Sequence, residues 1–324
     1  MSTGVPPVRL VPVNIPKPWG QEIWYTGMEA RGESLVQVGD GTLPISAYLA
    51  QDKAATTDHR ELLLLKILDP TPEPVLGDLY FEVHETKQEV YVVTHIDPSA
   101  WPDGTGMIRF GMNQALRSSY ADDDAFRRAY LDAVHAYEAV RRELDAGETR
   151  RAGEEVELRK QMEAFTHLHP LKLGDVVRVP TWLPHSLQHG VRVVEFQTPT
   201  YERLILSFAQ KVLTQSHWDT DSAIDRVVLD PPQAQHFESV ANGIERIAEF
   251  DDFNVWRVDF AQHAAPITLP ATLPYAVCMS VKGRCTVGEL SLNAEEACLV
   301  PKQGLASTTL TSTDGLLLIA APGL

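Results

Sequence analysis

Few cysteines, a shortage of cations and no long apolar run distinguish this chain before any motif does. Its three cysteines, Cys278, Cys285 and Cys298, are odd in number and show no CxxC spacing, which excludes a disulfide framework and predicts reduced thiols. No segment approaches the ~20 apolar residues that cross a bilayer as a helix. The opening MSTGVPPVRLVPVNIP lacks a basic region followed by an apolar stretch. These absences predict a cytoplasmic protein without a membrane partner. Lys and Arg total 28 against 44 Asp and Glu, and the net charge of −16 repels a phosphate backbone over the whole surface. Nucleic acid is excluded on that ground. A small anion is not, because a pocket needs only a local pair of cations and remote charge is screened.

What is present is an ordinary folded composition, 44% hydrophobic and 22% charged, over 324 residues. At ~100 to 200 residues per domain, that is two modest domains or one large domain with an insertion. From Leu62 to Val93 the chain reads as strand, turn, strand: LLLLKIL, a Pro-rich break from Asp69 to Pro74, then DLYFEVHETKQEVYVV. From Ala115 to Leu144 the period changes. Phe126, Tyr130, Val134, Tyr137, Val140 and Leu144 recur at three- and four-residue steps, as on one face of a helix. Asp122, Asp123 and Asp124 suit its first turn, Arg141 and Arg142 its end, and Gly147 its stop. Glu154 to Phe165 reads as a second, more polar helix.

After Pro170 the β pattern resumes through to Phe208, with turn signals at Gly174, Pro180 and Gly190. The helical stretch thus interrupts a β domain. DPPQ at Asp230 to Gln233 suggests a linker, and the runs VWRVDF, AVCMSV, ACLV and LLLIA beyond it suggest another small barrel. The expected division is a discontinuous metal-binding domain at 1–111 and 170–219, a helical insertion at 112–169, and a C-terminal β domain at 220–324.

Residues two apart on a strand share a face, so Glu82 and His84 in YFEVHE can project into one interior, and Glu89 on the following strand can return to the same point. His185 follows Gly174 and Pro180 at a fixed offset and supplies a fourth group. Two imidazoles and two carboxylates suit Zn²⁺, Fe²⁺, Mn²⁺ or Co²⁺, with positions left for water or a substrate oxygen. Alternating charge on an exposed strand face explains the first three residues equally well; the downstream element favours the metal. His167 and His169 lie in a loop-like stretch before Pro170 and are read as bystanders, and so are His95 and His189.

Both stretches resemble the two motifs of the cupin superfamily. In the first, Glu82 stands where a histidine is usual, and in the second Trp182 stands where a glycine is usual. A non-histidine first ligand is similar to the type I phosphomannose isomerases. So are KPWG (Lys17 to Gly20), LLLLKILD before the metal strand, the helical insertion, EFQTPTYERLI (Glu195 to Ile205) and a C-terminal barrel-like region. The resemblance implies a mainly β fold: a cupin double-stranded β-helix, or jelly roll, with a helical insertion and a second β-barrel-like domain. It implies a zinc-dependent aldose–ketose isomerase that interconverts mannose 6-phosphate and fructose 6-phosphate, or a related sugar, through an enediol.

By motif position, Lys87 and Arg203 match the family's active-site lysine and arginine, and Glu195 is the carboxylate to test as a proton carrier. Two departures bear on the substrate. Tyr80 stands where the family has a serine used near the phosphate, and only four residues separate His84 from Glu89, where the family has a long excursion. An unphosphorylated or different sugar is therefore open. So are two other readings, a non-catalytic sugar-binding cupin and an iron-dependent cupin oxygenase.

Overall fold

The computed structural model describes residues 5–29, 32–51, 62–213, 215–263 and 265–323; Met1 to Gly4 of the opening segment lie outside the described residues. The chain is mainly β, in antiparallel sheets with no closed barrel among the described residues. Among the described residues, one six-stranded sheet runs in the order Val176–Val179, Glu89–Ile96, Val191–Gln197, Leu64–Pro70, Gly20–Trp24, Val13–Lys17. A five-stranded sheet runs Thr166–Leu171, Gly106–Met112, His185–Leu187, Phe81–Val83, Leu204–Ser207. Leu68, Tyr91, Val93 and Val193 of the first pack with Ile108, Phe110, Leu187 and Ile205 of the second in one buried cluster, so the two sheets face each other.

The six-stranded sheet is buried on both sides, which explains why its strands read as apolar runs rather than as alternating ones. Leu65, Ile67, Val90, Val92, Val194 and Phe196 point away from the five-stranded sheet and pack on Tyr275, Val277, Met279, Leu299 and Leu318. Lys66, between Leu65 and Ile67, therefore points the other way, into the space between the facing sheets.

The sheet behind has nine strands among the described residues. Four of its strands are the expected C-terminal runs, Phe253–Asp259, Tyr275–Lys282, Ala297–Pro301 and Leu316–Pro322. Its far side is not C-terminal. Val8–Val11 pairs with Ala297–Pro301, with Val8 opposite Leu299, and Leu10 then pairs with Val36 of Leu35–Val38. The first strands thus extend the C-terminal sheet, although the sequence places 1–111 with the metal-binding domain. Val8 and Leu10 bury one side of their strand there, and Ala297–Pro301 would otherwise expose an unpaired edge.

The amphipathic stretch forms two helices rather than one, Gln114–Arg117 and Asp123–Asp145. Ser118 and Ser119 return their hydroxyls to the carbonyls of Gln114 and Leu116, which ends the first turn. Asp122 then starts the second helix by accepting from the Ala125 N–H at 2.7 Å. Phe126, Tyr130, Val134, Tyr137 and Val140 are buried. Most of that face packs on Phe81 and Val83, the back of the strand that carries Glu82, and on Leu206 of the neighbouring strand Leu204–Ser207. The second expected helix, Ala152–Glu163, buries only Met162 and is held instead by polar contacts such as Tyr137 Oη to Glu155 Oε1 at 2.9 Å. No helix among the described residues is long and apolar enough to cross a membrane.

Asp78, just before the Glu82 strand, is tied to His189, whose ring stacks on Trp101 with centroids 4.7 Å apart. Asp78 Oδ1 lies 2.7 Å from His189 Nδ1 and accepts the His189 backbone N–H at 3.0 Å. Burial pushes the Asp78 carboxyl up, but the bonds from His189 outweigh it and leave it below the usual range. A carboxyl depressed by folding stabilises above its unfolded pKa and loses that contribution as pH falls through its folded one. Asp78→Asn should therefore cost about 1.5–3 kcal/mol in urea denaturation at pH 7. The gap should close toward pH 3, and a gap of the same size at both values would contradict this.

Candidate metal centre

The register of the five-stranded sheet sets Glu82 directly opposite His185. A direct antiparallel pair brings the two Cβ atoms within ~5 Å, so both side chains share one spot on the inner face. His84 lies one residue beyond the strand Phe81–Val83 and turns back to them: its Nε2 is 3.4 Å from Glu82 Oε1, and its ring is 4.8 Å from that of His185. Glu82, His84 and His185 can hold a metal ion together, with ligand atoms all within 4.8 Å of one another. Glu89 reaches in from the facing sheet, 3.3 Å from His185 Nε2 and 3.9 Å from His84 Nε2, but falls outside that tighter triad.

The donor chemistry fits a cation. His185 Nδ1 sits 3.0 Å from the Leu183 carbonyl, which can only accept, so Nδ1 carries the proton and Nε2 presents its lone pair inward. That Nε2 and Glu82 Oε2 are buried without a hydrogen-bond partner among the described residues. Lone pairs converging from an imidazole and two carboxylates repel unless a cation lies between them. His84 is held neutral, at about 4: burial pushes its pKa down first and Lys87 adds, against the pull of Glu89 and Glu82. Glu82 is held at about 2, since bonding to His84 and the charges of Arg203 and Lys87 outweigh burial.

The other expected residues gather at the same place. Lys87 is buried, with Nζ 2.6 Å from Glu89 Oε1, and Tyr91 Oη donates to Glu89 Oε2 at 2.6 Å. Arg203 lies 3.6 Å from Glu82 Oε2, with its guanidinium 4.4 Å over the Tyr80 ring. Glu195 is 1% exposed, 3.4 Å from Lys66 Nζ. Glu89 and Glu195 are pushed apart. Burial raises both, but Lys87, His84 and His185 take Glu89 below the ordinary range, whereas burial holds Glu195 well above it against the pull of Lys66, with Glu89 adding.

Trp182 explains one departure from the cupin pattern. Its φ of 62° is left-handed, the conformation glycine supplies at no steric cost, and its N–H donates to the His84 carbonyl at 2.8 Å. The strained residue is clamped by Arg226, whose guanidinium lies 3.8 Å over the ring and pairs with Glu85.

Sequence reasoning missed Lys66, Tyr91, Lys17, Glu22, Trp19 and Gln197, which line the same small cavity. Strand register could have found the first two, since Tyr91 lies opposite Glu195 and Glu195 opposite Lys66 across three neighbouring strands. The cavity holds ≈ 50 Å³, well below the ~300–1,000 Å³ of ligand pockets, so part of its lining has to move to admit a larger ligand. A larger cleft of ≈ 740 Å³, lined by His167, His169, Phe237 and Arg257, contains none of these groups. His167 and His169 lie exposed on Thr166–Leu171 with rings 6.4 Å apart, and no third ligand joins them among the described residues.

No family model and no curated protein sequence matches the chain. Its structure is similar to that of the mannose 6-phosphate isomerase of Bacillus subtilis, at 15% identity and a TM-score of 0.67 over 98% of this chain and 99% of that one. It is also similar to a mutant phosphomannose isomerase from Salmonella typhimurium (14% identity, TM-score 0.71, 99% of this chain and 100% of that one). A zinc-bound mannose 6-phosphate isomerase matches at 13% identity and a TM-score of 0.71 over the same shares of the two chains. At such identities the similarity establishes the fold: the cupin architecture of the phosphomannose isomerases along essentially the whole chain.

Proposed function

We propose that the chain is a metal-dependent aldose–ketose isomerase, with Glu82, His84, Glu89 and His185 as ligands of a divalent cation, zinc by the resemblance. One observation carries the reading: two imidazoles and two carboxylates converge between the facing sheets, with Lys87, Glu195 and Arg203 around them. The helical insertion at 112–169 and the region 220–324 serve as support, one behind each sheet.

When bound, the cation polarises the sugar's carbonyl and hydroxyl oxygens as a Lewis acid. The chain's own residues handle protons and charge. Isomerisation moves one hydrogen from C2 to C1 and one proton from O2 to O1, so no outside oxidant or reductant is needed. Glu195 takes the C2 proton at a carboxylate oxygen and returns it to C1, and the proton lost from O2 is matched by the one gained at O1. Lys87 and Arg203 are fixed cations that stabilise the charge developing on the enediolate oxygens.

In deuterated buffer, protein loaded with zinc should exchange the C2 hydrogen of an aldose substrate for deuterium, and dialysis against chelator should abolish the exchange. Absence of exchange with free hexoses, pentoses and their phosphates alike would remove the isomerase reading.

A further inference from the structure

The charges lining the cavity point beyond the reaction to the class of sugar, an inference that rests on the isomerase reading. Four cations line it, and each faces a carboxylate. Lys17 Nζ is 3.1 Å from Glu22, Lys66 Nζ 3.4 Å from Glu195, Lys87 Nζ 2.6 Å from Glu89 and Arg203 Nε 3.6 Å from Glu82. A fifth carboxylate, Glu202, is on the rim, where it accepts from the Thr86 N–H at 2.9 Å and from the Glu85 N–H. A phosphate dianion entering this space would have to draw a cation away from its partner. The carboxylate left behind would be a charge out of water with nothing to balance it, the costly way to break a buried pair.

Two neutral groups in the same lining are satisfied by nothing. Trp19 Nε1 is a donor and Gln197 Oε1 an acceptor, both on side chains 1% exposed, and neither has a hydrogen-bond partner among the described residues. The Gln197 amide is aimed by its other end, whose Nε2 donates to the carbonyls of Thr198 at 3.2 Å and Thr200 at 2.8 Å. An unpaired buried donor or acceptor is unfavourable until something fills it. A sugar hydroxyl both donates and accepts, so it satisfies either group, whereas an ionised phosphate oxygen can only accept and offers Gln197 Oε1 nothing.

We propose that the site takes an uncharged sugar, a free aldose and its ketose, with Trp19 Nε1 donating to one hydroxyl and Gln197 Oε1 accepting from another. The test is calorimetric titration of the zinc-loaded chain with mannose, glucose and xylose, with mannose 6-phosphate and glucose 6-phosphate, and with inorganic phosphate as competitor. C2 exchange is followed on the same samples. A free hexose should bind at least ~10-fold more tightly than its 6-phosphate, a difference of about 1.4 kcal/mol. Inorganic phosphate should not displace it, and Gln197→Leu and Trp19→Phe should each weaken it by ~3- to 10-fold. Tighter binding of a 6-phosphate, displacement by phosphate, unchanged affinity in both variants or no binding of any free sugar would each overturn the proposal. Binding of a free sugar without C2 exchange would uphold it while removing the isomerase reading.

Discussion

Glu195→Gln is expected to lower turnover by ~10²- to 10⁴-fold, the usual worth of a positioned acid or base, while metal content stays at the wild-type level. The variant keeps the shape of a buried side chain and removes only its capacity to take up and release a proton. Glu195 lies on the strand Val191–Gln197, opposite Tyr91 on one side and Lys66 on the other, and burial beside Glu89 pushes its carboxyl well above the ordinary range. Steady-state kinetics should show the loss in kcat and kcat/KM together, as for a group that acts in the transition state. A rise in KM with kcat intact would make Glu195 a binding residue, and a loss of metal would make it part of the metal set. Either outcome contradicts its role as proton carrier.

His185→Ala should have an effect of comparable size by a different route. The imidazole is 2% exposed, its tautomer is set by the Leu183 carbonyl, and its Nε2 is the group around which Glu82, His84 and Glu89 gather. Loss of an outer partner to a metal ligand typically costs 10- to 100-fold in affinity. Removing the ligand itself should cost more, and should remove turnover with the metal. It also leaves Glu82 facing Glu89 with one side chain fewer between them, so the metal-free variant should be no more stable than metal-free wild type.

The residues that gather between the two sheets were legible in the sequence, and so was the mainly β fold, but not every strand pairing behind them. Glu82, His84, Glu89 and His185 stood out because strand periodicity and turn residues fix local offsets, and those offsets survive folding. Lys87 was legible as a position but not in its surroundings: a lysine in a turn defaults to solvent, and only the tertiary fold buries it against Glu89. Lys66 was hidden because a strand buried on both faces loses its alternation, so a lone lysine in LLLLKIL carries no sign of the side to which it points. The pairing of Val8–Val11 with Ala297–Pro301 was out of reach, since nothing local records a partner some 290 residues away. The break between the two helices at Ser118 to Asp122 was legible in principle: two serines followed by an N-capping aspartate stop one helix and start another, a signal outweighed by the long apolar period.

The most direct test of the metal centre is metal content by plasma emission, on wild type and His185→Ala purified side by side without chelator. About one divalent ion per chain in wild type, zinc foremost, with less than about a tenth of that in the variant, is the expected result. Wild type free of bound metal after zinc loading, or a variant that retains it in full, would contradict the placement of a metal between these four residues.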